Sequence, residues 1–214
     1  MAYDWLSAVI IAIVQGLTEW LPISSSGHIL LFERLLGYSG GLDFEVALHF
    51  GTLMAVFLYF RKEIIDISRD FFSGKWSTEN GRFGCYLALG TVPAAVVGFL
   101  VNDYFDTVLS DFILLGMGFL VTGVLLLIVG FTKSSAKKQL TWKNSLVIGT
   151  AQAAAILPSI SRSGATIASG VLLGLNEKKA MQFSFLLSIP AILGASVLQW
   201  GNNPFPISFL LPIF

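Results

Sequence analysis

Four stretches of this chain, residues 42–60, 83–101, 112–131 and 180–200, run nearly free of charge over about the 20 residues that a helix needs to cross a hydrocarbon core. In lipid, a chain must satisfy its own backbone polar groups, which leaves helices or a closed barrel, and runs of this length select helices. Composition agrees: 12% of the residues are charged, against about 25% in soluble domains. The expected fold is an all-α, multi-spanning bundle within a single integral membrane domain. No Lys or Arg occurs in residues 1–5, so a cleaved secretory signal is not expected. Cys85 stands alone, which excludes an intrachain disulfide and suggests a packing role. The net charge is zero and no basic stripe points to nucleic acid.

The distribution of charge sets an orientation. Arg61, Lys62, Arg69, Lys75 and Arg82 form one basic region, Lys133, Lys137, Lys138 and Lys143 a second, and Lys178 and Lys179 a third. The connection 102–111 holds Asp103, Asp106 and Asp111 and no base. The positive-inside rule places the basic regions in the cytoplasm and the acidic connection outside. Trp5, Trp142 and Trp200 suit the aromatic belts at the interfaces.

This topology leaves residues 4–37 with both ends outside and residues 142–174 with both ends inside. Each is an apolar helix, a Pro/Ser/Gly break and a second apolar stretch, and each reads as a re-entrant hairpin. Broken backbone at membrane depth is tolerable only where protein or a polar cavity surrounds it. The hairpins are related by a constant offset of 137 positions, from Gln15 to Gln152, Ser24 to Ser161, Ser26 to Ser163 and Gly27 to Gly164. The reading is a gap-free duplication, repeat 1 over about 1–137 and an incomplete repeat 2 over about 138–214, with the second copy inverted and the site between the copies. A complete second copy would end near position 274, so counterparts of the crossings 83–101 and 112–131 are expected to be missing.

The chemistry concentrates in the two breaks. Gln15 and Glu19 lie i, i+4 on one helix face. A carboxylate at membrane depth is a functional candidate by default, and an amide with a carboxylate offers hard oxygen ligands for Mg²⁺ or Ca²⁺. The alternative is an interfacial Glu at the hairpin tip. Pro22-Ile-Ser-Ser-Ser-Gly-His28 brings Ser24, Ser25, Ser26, Gly27 and His28 together, where a helix start would hold an anion and Ser25 or His28 could act as nucleophile or proton carrier. A serine-rich turn is also what an ordinary N-cap looks like. Pro158-Ser-Ile-Ser-Arg-Ser-Gly164 puts Arg162, whose planar fork matches phosphate oxygens, opposite Ser25 in the repeat. Arg162 could equally be a structural partner of Glu19. Glu45 and His49 form a second i, i+4 pair that extends the site or makes a structural hydrogen bond.

On these residues the chain resembles the undecaprenyl-diphosphate phosphatases, also called bacitracin-resistance proteins. Their Glu/Gln-x-x-x-Glu pattern is similar to Gln15-Gly-Leu-Thr-Glu19, and their Pro-Gly-x-Ser-Arg-Ser-Gly to the second break, with Ser159 in place of the usual Gly. Phe183-Ser-Phe-Leu-Leu-Ser-Ile-Pro190 is family-like as well. The resemblance implies hydrolysis of C55 isoprenyl diphosphate to the lipid carrier used in cell-wall synthesis, and with it bacitracin resistance. It also implies a divalent cation, Mg²⁺ or Ca²⁺, a plasma-membrane location, and a homodimer of six crossings and two re-entrant hairpins per chain. The expected site has Glu19, Ser25, His28 and Arg162 as catalytic groups and Gln15 and Glu19 as metal ligands. Ser24, Ser26, Gly27, Ser161, Ser163, Gly164 and Thr166 would hold the substrate. The competing reading is a lipid-carrier flippase or secondary transporter, since inverted repeats with broken helices are transporter architecture.

Overall fold

A computed structural model describes residues 4–101, 112–132, 138–157 and 159–202. The acidic connection with Asp103, Asp106 and Asp111, the basic residues Lys133 and Lys137, Pro158 and the side chain of Trp200 lie outside the described residues. Among the described residues, all regular structure is helical. The elements are α1 (Asp4–Trp20), α2 (Ser25–Leu36), α3 (Gly41–Tyr59), α4 (Arg61–Phe72), α5 (Glu79–Val101), α6 (Phe112–Phe131), α7 (Trp142–Ala154), α8 (Arg162–Leu172) and α9 (Glu177–Asn202).

Length sorts these helices. Spans within α5, α6 and α9 are long and apolar enough to cross a membrane, and α3 with α4 makes a fourth candidate bent by 81°. The protein is therefore a multi-span helical membrane protein. The apolar run expected at 42–60 ends where α3 ends, and Phe60 turns the chain into α4. The start of the basic region is an amphipathic helix that buries Ile67 and exposes Arg61, Lys62 and Arg69, the pattern of a helix lying at an interface. Exposed Phe99, Ile113, Leu120 and Phe131 on α5 and α6 suit contact with lipid.

At 17, 12, 13 and 11 residues, α1, α2, α7 and α8 are each too short to cross alone. They form two helical hairpins, α1 packed on α2 and α7 on α8. Both breaks end in the same device. Ser24 accepts a hydrogen bond from the Gly27 amide at 3.3 Å, and Ser161 accepts one from the Gly164 amide at 2.9 Å, satisfying orphan donors at the starts of α2 and α8. Gly37 after α2 and Gly174 after α8 both take left-handed φ, at 64° and 93°.

The core lies where α9 meets α3, α5 and α8. Phe183, Leu186 and Leu187 of α9 are fully buried against Phe83, Ile148 and Val171. Helices α5 and α7 cross closely because two glycines face each other: a side chain on Gly149 would strike the Gly90 carbonyl. Beside that crossing, Ser145 Oγ donates to the Tyr86 carbonyl at 2.5 Å. A smaller cluster, Ile11, Ile29 and Phe44, seats the first hairpin on α3. Helix α6 touches both hairpins, through α2 and α8.

Candidate active site

The two hairpin breaks meet. Glu19, in the last turn of α1, points Oε1 at Arg162 Nη2, the first residue of α8, at 2.5 Å. Ser163 Oγ reaches the Leu21 carbonyl at 3.4 Å, and a side chain on Gly164 would lie 3.0 Å from the Pro22 carbonyl. The Glu19 and Arg162 side chains are 13% and 24% exposed, so the ion pair is largely withdrawn from solvent. Buried pairs of this kind gain little net stability, yet stranding either partner is costly. Their placement across the hairpin junction thus fixes both breaks relative to each other.

The other oxygen of Glu19 organises the first hairpin. Oε2 accepts a hydrogen bond from Ser25 Oγ, with His49 Nε2 of α3 at 3.3 Å and Gln15 Nε2 at 3.4 Å. His49 Nε2 also lies 3.5 Å from Ser25 Oγ. Its Nδ1 lies 2.9 Å from the Glu45 carbonyl, which can only accept, so Nδ1 carries a proton and Nε2 faces Ser25 and Glu19. Serine, imidazole and carboxylate are thereby gathered from α2, α3 and α1.

A cavity of about 280 Å³ opens on this cluster, lined by Glu19, Ser25, Glu45, His49, Ser161 and Arg162 among others. Ser24, Ser26 and Ser163 line it too. Of the expected site residues, Gln15, Gly27, His28, Gly164 and Thr166 are not among its lining. Gly27 and Gly164 sit behind it as packing points, since a side chain on Gly27 would meet the Phe119 ring at 2.7 Å. Thr166 Oγ1 is committed to Ser184 Oγ at 2.6 Å and the Arg162 carbonyl at 2.8 Å, joining α8 to α9.

His28 departs most from expectation. Its Nδ1 meets the Ser24 carbonyl at 2.7 Å and its ring stands edge-on to Phe119, centroids 5.2 Å apart. The imidazole beside Ser25 and Glu19 is His49. Motif spacing draws the eye to His28, three residues after Ser25, but one helical turn from Ser25 leads back onto its own helix rather than across the cavity.

Gln15 is buried, and its Nε2 donates to Thr52 Oγ1 at 3.3 Å and to Glu19 Oε2 at 3.4 Å. Among the described residues, no group of three or more His, Cys, Asp or Glu side chains is placed to hold an ion. Glu19 and Glu45 are the carboxylates lining the cavity. That donor set fits a Mg²⁺-like ion held by one or two carboxylates and mostly by substrate phosphate and water, not by a dedicated cage.

Two further groups had no local sequence signal. Thr122 of α6 accepts from the Ser161 amide at 2.9 Å and donates to the Ser159 carbonyl at 3.4 Å, pinning the second break. Ser196 of α9 lines the cavity as well. Thr122 acts across 37 and 39 positions of chain, which periodicity cannot register.

Residues 8–210 match the family described as bacitracin resistance protein BacA. Undecaprenyl-diphosphatase 4 of Bacillus thuringiensis subsp. konkukian is 44% identical over 202 residues, covering 93% of this chain and 75% of its own length. Undecaprenyl-diphosphatase of Methanosphaera stadtmanae is 40% identical over 212 residues, 92% of this chain and 77% of its own. Undecaprenyl-diphosphatase of Chromohalobacter salexigens is 44% identical over 202 residues, with coverages of 92% and 76%.

Proposed function

The chain belongs to the bacitracin resistance protein BacA family, and from that premise we propose that it hydrolyses undecaprenyl diphosphate to undecaprenyl phosphate and inorganic phosphate. The observation that carries this reading is the Arg162–Glu19–Ser25 contact across the hairpin junction, with His49 beside it. Arg162 supplies charge and a donor fork for a phosphoryl group, and Ser25 supplies a hydroxyl already hydrogen-bonded to a carboxylate.

In this mechanism the terminal phosphoryl lies against Arg162 and Ser25. Ser25 Oγ attacks phosphorus, its proton passes to the Glu19–His49 pair, and undecaprenyl phosphate leaves. Water then cleaves the phosphoserine bond and releases inorganic phosphate. Both steps depend on positioning and on neutralising the charge of the transferring group. Arg162 and the amides at the start of α8 do the latter. A Mg²⁺ or Ca²⁺ ion bound by Glu19, Glu45 and substrate oxygens would add further neutralisation. The prenyl chain lies along apolar helix faces in the bilayer. A plasma-membrane location, a homodimeric state and roles in carrier recycling and bacitracin resistance belong to the same proposal. Exposed apolar faces on α5 and α6 leave room for both lipid and a second copy.

The deciding experiment measures phosphate release from undecaprenyl diphosphate by purified protein and traps labelled phosphate on Ser25. Release abolished in Ser25→Ala and Arg162→Ala supports the mechanism, and normal turnover by either variant refutes it. The relatives are named as phosphatases, and no observation favours the transporter alternative.

A further inference from the structure

A second cavity, of about 250 Å³, lies where α4 and the starts of α5 and α9 come together. Its polar lining includes Glu63 of α4, Glu79 and Asn80 of α5, and Lys178, Lys179 and Gln182 of α9. Ile67 and Phe83, each 9% exposed, line it as well. Two of the regions that the charge pattern sends to the cytoplasmic face are joined here across 100 positions of chain, where Lys179 Nζ meets Glu79 Oε1 at 3.3 Å.

The spans of α5 and α9 both begin at this cavity, and the amphipathic α4 forms one side of it, which puts it at the depth of lipid headgroups. Phe72 and Trp76, at the end of α4 and just beyond it, are 84% and 60% exposed and suit that interface. Among the described residues, Glu63 and Lys178 make no ion pair with each other or with any other group. Opposite charges that share a cavity without meeting leave a gap that a molecule carrying both signs bridges. The cavity's four charges, Glu63, Glu79, Lys178 and Lys179, also sum to zero. An ion of one sign therefore meets attraction at one end and repulsion at the other, whereas a dipolar ligand gains at both.

We propose that this cavity seats the headgroup of phosphatidylethanolamine, a membrane phospholipid carrying a phosphate and a primary ammonium. Lys178, with the amides of Asn80 and Gln182, takes the phosphate, and Glu63 takes the ammonium. A primary ammonium offers three N–H donors to a carboxylate. A trimethylammonium offers none and is held instead by cages of aromatic rings. Phe83, the one aromatic lining the cavity among the described residues, is buried and stands edge-on to Phe183 with centroids 5.5 Å apart, so no such cage is present there. The bound headgroup ties α4 to the two spans beside it. This role is independent of the phosphatase reading, since none of these residues lines the cavity at the hairpin junction.

The test uses the purified full chain, delipidated in detergent micelles and titrated with the dioctanoyl forms of phosphatidylethanolamine, phosphatidylcholine and phosphatidylglycerol. Bound lipid is read by native mass spectrometry. Wild-type protein should bind the ethanolamine lipid about fivefold more tightly than either of the others, the upper scale of a charge contact near the surface. Glu63→Gln should remove the preference for ethanolamine over choline without weakening the choline lipid, because the carboxylate reads only the ammonium. The same variant should bind the glycerol lipid more tightly, since its cavity carries a net positive charge. Lys178→Gln should weaken the ethanolamine and choline lipids alike, because both carry the phosphate. Lys62→Gln, on the same helix but outside the cavity lining, should change none of these affinities. Tightest wild-type binding of the glycerol lipid overturns the proposal in favour of a plain basic surface. Equal binding of all three lipids, an ethanolamine preference that survives Glu63→Gln, or a loss in Lys62→Gln as large as in Lys178→Gln overturns it as well.

Discussion

Replacing Glu19 with glutamine removes one charge from the hairpin junction and keeps its shape. The carboxylate holds Arg162 Nη2 at 2.5 Å on one side and Ser25 and His49 on the other. Two unit charges about 4 Å apart at an effective dielectric of about 20 attract by about 4 kcal/mol, and stranding one partner of a buried pair costs about 3–5 kcal/mol. With side chains still 13% and 24% exposed, the lower end applies, about 3 kcal/mol. In a protein of this size each kcal/mol moves the thermal midpoint about 2–4 °C, so Glu19→Gln should unfold about 6–12 °C earlier. Arg162→Gln should cost a similar amount. The double variant strands no charge, and should be more stable than the sum of the singles by about 2 kcal/mol. Thermal unfolding of the four proteins in one detergent measures the coupling. Phosphate release from the same samples should fall at least about a hundredfold in each variant, the scale for removing one group that stabilises transferring charge. Additive losses in stability would refute the ion pair, and Glu19→Gln with wild-type turnover would remove Glu19 from the site.

His49→Asn should slow phosphate release about a hundredfold, the low end of what a positioned proton carrier contributes, whereas His28→Asn should change it less than about fivefold; the reverse order would return the role to His28. Thr122→Val removes the acceptor of the buried Ser161 amide, and should lower stability by about 1–3 kcal/mol while raising KM. Identical KM in that variant would show that α6 does not hold the second break. Gly149→Val drives a side chain into the Gly90 carbonyl, and should cost about 1–3 kcal/mol of stability by separating α5 from α7. An unchanged thermal midpoint would contradict the close crossing.

Much of the fold is local and therefore legible in the chain. Residues 83–101 and 112–131 lie in spanning helices because apolar length is a property of consecutive residues. Ser24 and Ser161 announce helix starts because a cap spans three positions, and both breaks fall where Ser, Gly and Pro cluster. The helix α4 was hidden because its period was masked by its charge, and basic residues before a crossing read equally well as a loop or as an interfacial helix.

The site divides along the same line. From sequence alone came the membrane setting, the two polar breaks, Glu19 and Arg162 as charges too costly at depth to be idle, and Ser25 as a candidate nucleophile between them. Which imidazole lies beside Ser25 and Glu19 was decided by the tertiary structure. His28 shares a segment with Ser25, but its ring faces Phe119. His49 reaches the cluster because Ile11 and Ile29 of the first hairpin pack against Phe44 of α3. Thr122, and Thr166 as a tie to α9, became visible for the same reason. Their roles depend on contacts between helices, and distances across a packed interior are set by the volumes of all the residues between them, which no window of sequence contains.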